Sequence, residues 1–339
     1  MTFKRYPSTE QFRNTVSAVK QWAHKNGNPI PTLTFYGTVK VHGTNGGVGY
    51  DVETDTIWAQ SRERIITPDN DNAGFATYIY QNEEAFKEFF RYVAGGESFN
   101  QVILYGEWAG PKVQDGVGVS QLPEKMFFPF QFQFITGTGE DAEVEKNPAS
   151  IYSWSIDRML PRARDISDFG LYEITIDFNE PQQVQNKLVE LTMAVEAQCP
   201  VAKAFGIEGI GEGIVWSRYL PEGGVIQFKV KGEKHSTSKV KTVAVLSEAD
   251  LERLKSIDTF VESVLPEARL SQGIDKLREK GLPVEMRSIG EYLKWIGQDV
   301  LREEGDIITA AGIERKELMP KVTAKAKAYF INEMQKEVA

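Results

Sequence analysis

The sequence predicts an α+β chain: a strand-rich region reaching to about residue 243, followed by a helical region to residue 339. Three observations carry this. Period-two alternation recurs in Leu33–Val41, Val102–Trp108, Phe127–Ile135 and Val225–Gly232, as in strands with one buried face. Beyond Ser247 the apolar spacing changes to that of helices: Leu251, Leu254, Ile257, Phe260, Val261 and Val264 recur three and four apart. A length of 339 residues is also long for one domain. A domain of residues 1–243 and an all-helical C-terminal domain of residues 244–339 are therefore expected, with the boundary falling between Lys241 and Ser247. Hydrophobic content of 41% with 26% charged residues fits a folded globular protein and argues against extensive disorder.

In chain order, Ser8 and Gln11 have capping-box spacing ahead of Phe12, Val16, Val19 and Trp22, so an amphipathic helix is expected until Gly27-Asn28-Pro29. In the run Leu33–Val41, Leu33, Phe35, Gly37, Val39 and Val41 share one face, and Lys40 points away from it. His42 to Gly49 contains four glycines and an asparagine and reads as a tight turn before strands at 47–52 and 56–60. Arg62 and Arg64 follow at the strand's end, where arginines are most often solvated. A helix is expected over 75–93, then a strand at 102–108 in which Glu107 shares a face with Ile103 and Tyr105. A carboxylate there calls for an ion-pair partner or a role in a site. In Phe127–Ile135, Phe128, Phe130, Phe132 and Phe134 form one stripe. Such a stripe is core by default, although an aromatic at its margin can stack on a base. Residues 137–148 read as a loop, 172–177 as a strand and 182–197 as a helix. A glycine-rich turn, Ile207–Gly213, then enters a strand carrying Trp216. In the last strand Lys229 and Lys231 lie side by side, a repulsion that an anion between them would relieve. Further helices are expected at 270–277, 289–301 and about 314–338, with Pro320 kinking or delaying the last.

The net charge of −9 does not advertise a polyanion binder, but a local patch does. Lys229, Lys231, Lys234, Lys239 and Lys241 stand against Glu233 alone. One cysteine, Cys199, excludes an internal disulfide, and His24, His42 and His235 lack zinc-ligand spacing. No apolar run approaches the roughly 18–20 residues of a membrane span, and the first residues have no signal-peptide core, so a cytoplasmic protein is expected. Neither G-x-x-x-x-G-K-[ST] nor G-x-S-x-G occurs, and Gly43–Gly49 opens a strand where a dinucleotide motif would open a helix. What remains is a strand-borne lysine, scattered carboxylates and a lysine pair. An amine becomes a nucleophile only when its pKa is lowered, which neighbouring cations do.

Lys40-Val41-His42-Gly43-Thr44-Asn45 resembles motif I, K-x-H-G-T-N, of the RNA ligase 2 family of covalent nucleotidyltransferases. The other motifs follow in order: Arg62 resembles the motif Ia arginine, Glu107 in Leu104–Gly110 motif III, and Phe130 the motif IIIa aromatic, although Gln131 stands where an acidic residue is usual. Glu212-Gly213-Ile214-Val215-Trp216 is similar to motif IV and Lys229-Val230-Lys231 to motif V, so the resemblance covers about residues 30–241. It implies an antiparallel-sheet nucleotidyltransferase domain and an ATP-dependent RNA ligase using Mg²⁺ or Mn²⁺. Lys40 would be the nucleophile, with Val41 beside it in the nucleotide site, Arg62 and Glu107 on the ribose and Phe130 on adenine. Glu212 would place the metal, Lys229 and Lys231 would hold the α-phosphate, and His42 and Asn45 would act in the later steps. The implied partner is an RNA end, at a nick in duplex RNA or an RNA/DNA hybrid, and the expected state is a monomer with no membrane. A DNA ligase, a capping guanylyltransferase or a non-catalytic nucleic-acid-binding relative are the alternatives; the first two usually append a β-rich OB domain, against the helical C-terminal region here.

Overall fold

A computed structural model describes residues 3–95, 99–137, 139–236, 252, 254 and 256–338. The expected domain boundary at 243/244, together with Lys239, Lys241 and the start of the first C-terminal helix, lies outside the described residues.

The strand-rich region is built from two antiparallel-dominated sheets. In order, β1 (Glu10–Gln11) runs into α1 (Phe12–Lys25), followed by β2 (Thr32–Lys40), β3 (Thr44–Asp51), β4 (Thr56–Ser61) and β5 (Ile65–Ile66). Next come α2 (Phe75–Gln81), α3 (Glu83–Ala94), β6 (Gln101–Ala109), β7 (Met126–Thr136) and β8 (Glu143–Pro148). The region closes with α4 (Ser153–Met159), β9 (Leu171–Asp177), α5 (Gln185–Ala197), α6 (Pro200–Ala204), β10 (Gly213–Tyr219) and β11 (Val225–Lys231). One sheet has the order β1-β11-β10-β2-β9, the other β5-β4-β3-β6-β7-β8. The first packs Phe35, Val39, Ile214, Trp216 and Phe228 against Phe12 and Val19 of α1 and Leu188 and Val195 of α5. The second presents Val48, Leu104, Trp108, Phe127 and Phe132 to Phe75, Phe86 and Phe89 of α2 and α3. Its other face carries a small cluster of Tyr6, Trp58, Ile103, Tyr105 and Ile135. The C-terminal helices α7 (Ile257–Val264), α8 (Glu267–Glu279), α9 (Ile289–Ala310) and α10 (Arg315–Val338) enclose a core of their own around Phe260, Leu270, Tyr292, Ile296 and Phe330.

Several local expectations are corrected. Ser8 caps nothing: α1 begins after Gln11 without a side-chain cap, because Glu10 and Gln11 pair in parallel with Phe228 and Lys229. The glycines of 43–49 do not form a turn, since β3 already starts at Thr44. They make room for aromatic rings instead: a Cβ on Gly49 would lie 2.0 Å from the Trp58 ring and one on Gly46 2.6 Å from that of Phe75. Residues 143–148 form β8 where a loop is expected, the helix over 75–93 is broken at Asn82 into two, and Pro320 lies inside a continuous α10. The phenylalanine stripe is also interrupted. Tyr105 pairs with Gln131 but Gly106 with Pro129, so Phe130 is the extra residue of a β-bulge. Beyond it the faces exchange, and Phe127 rather than Phe128 shares a core with Phe132.

Candidate active site

The site sits where the two sheets meet. Lys40 ends β2 in one sheet and Thr44 begins β3 in the other, so Val41-His42-Gly43 is the crossing between them. The crossing is close: a Cβ on Gly43 would lie 2.3 Å from the backbone oxygen of Trp108. The Gly43 N–H donates to Glu107 Oε1 at 3.1 Å, which ties the crossing to β6.

Strand register brings the charged residues together. Gly213 pairs with Lys40 on one side and with Lys231 on the other. Glu212, one residue earlier, therefore falls between two lysines. Its Oε2 accepts from Lys40 Nζ at 2.7 Å and its Oε1 is 2.9 Å from Lys231 Nζ, while His42 Nδ1 is 3.3 Å from Oε2. Burial by itself would raise the Glu212 carboxyl, but Lys231, Lys40 and His42 overcome it and hold the group well below the usual carboxylate range. Lys231 is pushed down by burial and by the nearby Lys40 and Lys229, more than Glu212 restores. Glu107 behaves oppositely: burial raises its carboxyl, and Lys40 and Arg62 only partly offset this. Glu208, the other acidic residue before a glycine in Ile207–Gly213, is exposed.

A cavity of about 680 Å³ opens beside this cluster and is lined by Lys40, Val41, Asn45, Arg62, Glu107, Phe130, Lys229 and Lys231. Asn45, opposite Glu107 in the β3–β6 pairing, is buried and neither side-chain polar atom has a hydrogen-bond partner. Arg62 Nε is likewise buried without one. Unpaired polar groups at a cavity wall are costly unless a ligand meets them. Phe130, released from the pleat by the bulge, faces this space and meets Tyr6 edge-on at 5.1 Å. Glu212 and His42 complete the cluster at the end of β2, so every candidate site residue named from the sequence lies in or against one cleft. Lys229 differs in its partner. Its Nζ is 3.2 Å from Glu303 Oε1 on α9, whereas Lys231 pairs with Glu212.

The sequence reading missed the residues supplied from far along the chain. Tyr6 packs against Tyr105 and Phe130 and donates to Gln227 Oε1 at 3.1 Å, its hydroxyl pushed up to about 12 by burial. Gln272, Lys276, Trp295 and Arg302 form the wall contributed by the C-terminal helices. Helical periodicity places such residues on a helix but does not say which sheet the helix will face.

Could the cleft hold a divalent metal? Among the described residues no group of three His, Cys, Asp or Glu side chains is placed to ligate one. Glu212 nevertheless offers a buried carboxylate whose two oxygens already meet cations. That fits a hard ion taking one protein carboxylate and completing its shell with water and phosphate, as Mg²⁺ does.

An RNA ligase family model matches residues 33–260. No curated protein gives a significant match. Among solved structures, Naegleria gruberi RNA ligase with PPi is similar at 17% identity and a TM-score of 0.44, over 69% of this chain and 57% of that one. A mutant of the same ligase with ATP and Mn is similar at 16% identity and a TM-score of 0.45, over 69% and 58%. The chain thus spans under two thirds of the length of these proteins. No helix among the described residues is long and apolar enough to cross a membrane.

Proposed function

Because the chain belongs to the RNA ligase family, we propose that it is an ATP-dependent ligase that joins 5′-phosphate and 3′-hydroxyl RNA ends through a lysyl-AMP intermediate. The observation that carries the proposal is the Lys40–Glu212–Lys231 arrangement at one end of a cavity of about 680 Å³.

In the first step the neutral Lys40 amine attacks the α-phosphorus of ATP, forming a P–N bond while the P–O bond to pyrophosphate breaks. Glu212, held as an anion, fixes the amine at the strand's end. Lys231, and Lys229 once free of Glu303, face the α-phosphate and stabilise charge as it builds there. A divalent metal held by Glu212, Mg²⁺ or Mn²⁺, would supply further positive charge to the phosphates. Phe130 offers a stacking face to adenine, Val41 packs beside it, and Arg62 with Glu107 meets the ribose. The nucleotide then passes to an RNA 5′-phosphate as a new phosphoanhydride, and the 3′-hydroxyl of the other end displaces AMP. We assign His42 and Asn45 to these later steps. A nicked duplex, RNA or RNA/DNA hybrid, is the substrate we favour, with the protein acting as a cytoplasmic monomer.

The test is incubation with α-labelled ATP and Mg²⁺ followed by denaturation. Label is expected on the wild-type chain and absent from Lys40→Ala. Equal labelling of both would overturn the mechanism, labelling by GTP in its place would point to capping chemistry, and no labelling would leave a binding protein.

A further inference from the structure

At the edge of the cleft, basic and amide side chains of the strand-rich region meet carboxylates of the C-terminal helices. Gln11 is paired in register with Lys229, and Arg13 follows two residues later in the first turn of α1. These side chains meet one acidic stretch of α9, Glu303-Glu304-Gly305-Asp306. Glu303 accepts from Lys229 and from Gln11 Nε2, and Arg13 Nη2 donates to the Glu303 backbone oxygen and, at 2.7 Å, to Glu304 Oε2. Arg13 Nε is 3.1 Å from Asp306 Oδ2. Yet the match is incomplete: Arg13 Nη1 and Gln11 Oε1 are buried without a hydrogen-bond partner.

We propose that Lys229, Gln11 and Arg13 form a binding track for consecutive RNA backbone phosphates running out of the catalytic cleft, and that the carboxylates of α9 occupy it when RNA is absent. Three features support the track. Its side chains are drawn from neighbouring elements of one sheet and its helix, in a line that starts with a lysine of the cavity wall. The groups on them are carboxylates spaced along one helix, with the Glu303 backbone oxygen beside them, and phosphate oxygens replace these chemically; arginine in particular takes phosphate with the same paired geometry as carboxylate. Finally, exchanging the contact for phosphate leaves no buried ion unpaired, because Glu303 keeps Arg302 and Glu304 keeps Arg269 while phosphate takes Lys229 and Arg13. A polyanion can therefore displace it. The site deepens the ligase reading by naming where substrate backbone is gripped, and it rests on that reading only for the identity of the anion.

The experiment measures binding of the full chain to a fluorescent nicked RNA duplex with a 5′-phosphate at the nick, across a salt series. Arg13→Gln is expected to weaken binding about tenfold at low salt and to reduce the slope of log affinity against log salt by about one. Arg13→Lys keeps the charge and is expected to keep that slope, which separates lost charge from misfolding. Asp306→Asn removes an exposed competitor and is expected to tighten binding about threefold. Opposite signs for Arg13→Gln and Asp306→Asn support the track. If both variants shift affinity in the same direction, or Arg13→Gln leaves it unchanged, the carboxylates are merely a domain contact and the proposal fails. Labelling with α-labelled ATP is scored in parallel: wild type that binds RNA but takes no label overturns the ligase chemistry and leaves the track standing.

Discussion

Replacing Glu212 by glutamine removes one negative charge from between two ammonium groups. At an effective dielectric of about 20, a charge pair at the 2.7 Å and 2.9 Å separations of Lys40 and Lys231 is attracted by about 6 kcal/mol before desolvation. Most of that offsets the burial of the ions, and breaking such a buried pair typically costs about 3–5 kcal/mol. The lower end is expected here, because Lys231 already has a depressed pKa and can shed its proton once its partner is gone. The loss, about 3 kcal/mol, should appear in urea unfolding with an unchanged slope. It should also shrink as pH rises. The unfolded chain binds the Lys231 proton up to the ordinary value of 10.5, whereas the folded variant releases it earlier, so stability climbs with pH through that window. A Glu212→Gln variant as stable as the parent and with the same pH profile would refute the claim that this carboxylate neutralises both lysines.

Two further outcomes follow from the same geometry. Gly43→Ala places a methyl 2.3 Å from the Trp108 carbonyl oxygen, backbone that cannot step aside cheaply, so a loss of about 2–3 kcal/mol and weakened lysine labelling are expected, read by thermal unfolding and by α-labelled ATP. Glu303 is held at about 2 against an ordinary 4.5: burial opposes ionisation, but Lys229, Arg302 and Arg269 prevail. Its contribution, at most about 3 kcal/mol, is present above pH 4.5 and lost as pH falls towards 2, so Glu303→Gln should flatten the acid limb of a urea-stability profile; an unchanged limb would count against this.

The polar face of the Leu33–Val41 strand and the lysine pair of the last strand were legible because alternation fixes which way a side chain points. Lys40 and Lys231 needed only a partner strand to come together, and Gly213 supplies the register. The bulge was harder to see, although Pro129 inside an aromatic strand was a signal, since proline within a sheet favours edges and bulges. The glycines of 43–49 misled because backbone freedom and room for a neighbouring ring leave the same residue in the sequence. Nothing local could place Glu303 against Lys229. That contact depends on how the C-terminal helices dock, and each residue's own pattern is satisfied without it.

The three-residue crossing between the sheets also acts as a leash. Lys40 and Thr44 are about four peptide units apart, so their backbones can separate by no more than about 14 Å however far the cleft opens. The Lys40 backbone is paired to one sheet at Gly213, and Glu107 hangs from the other, opposite Asn45. Any rotation of one sheet against the other must therefore swing about this short tether, with Lys40 near the pivot, where such a rotation moves it least.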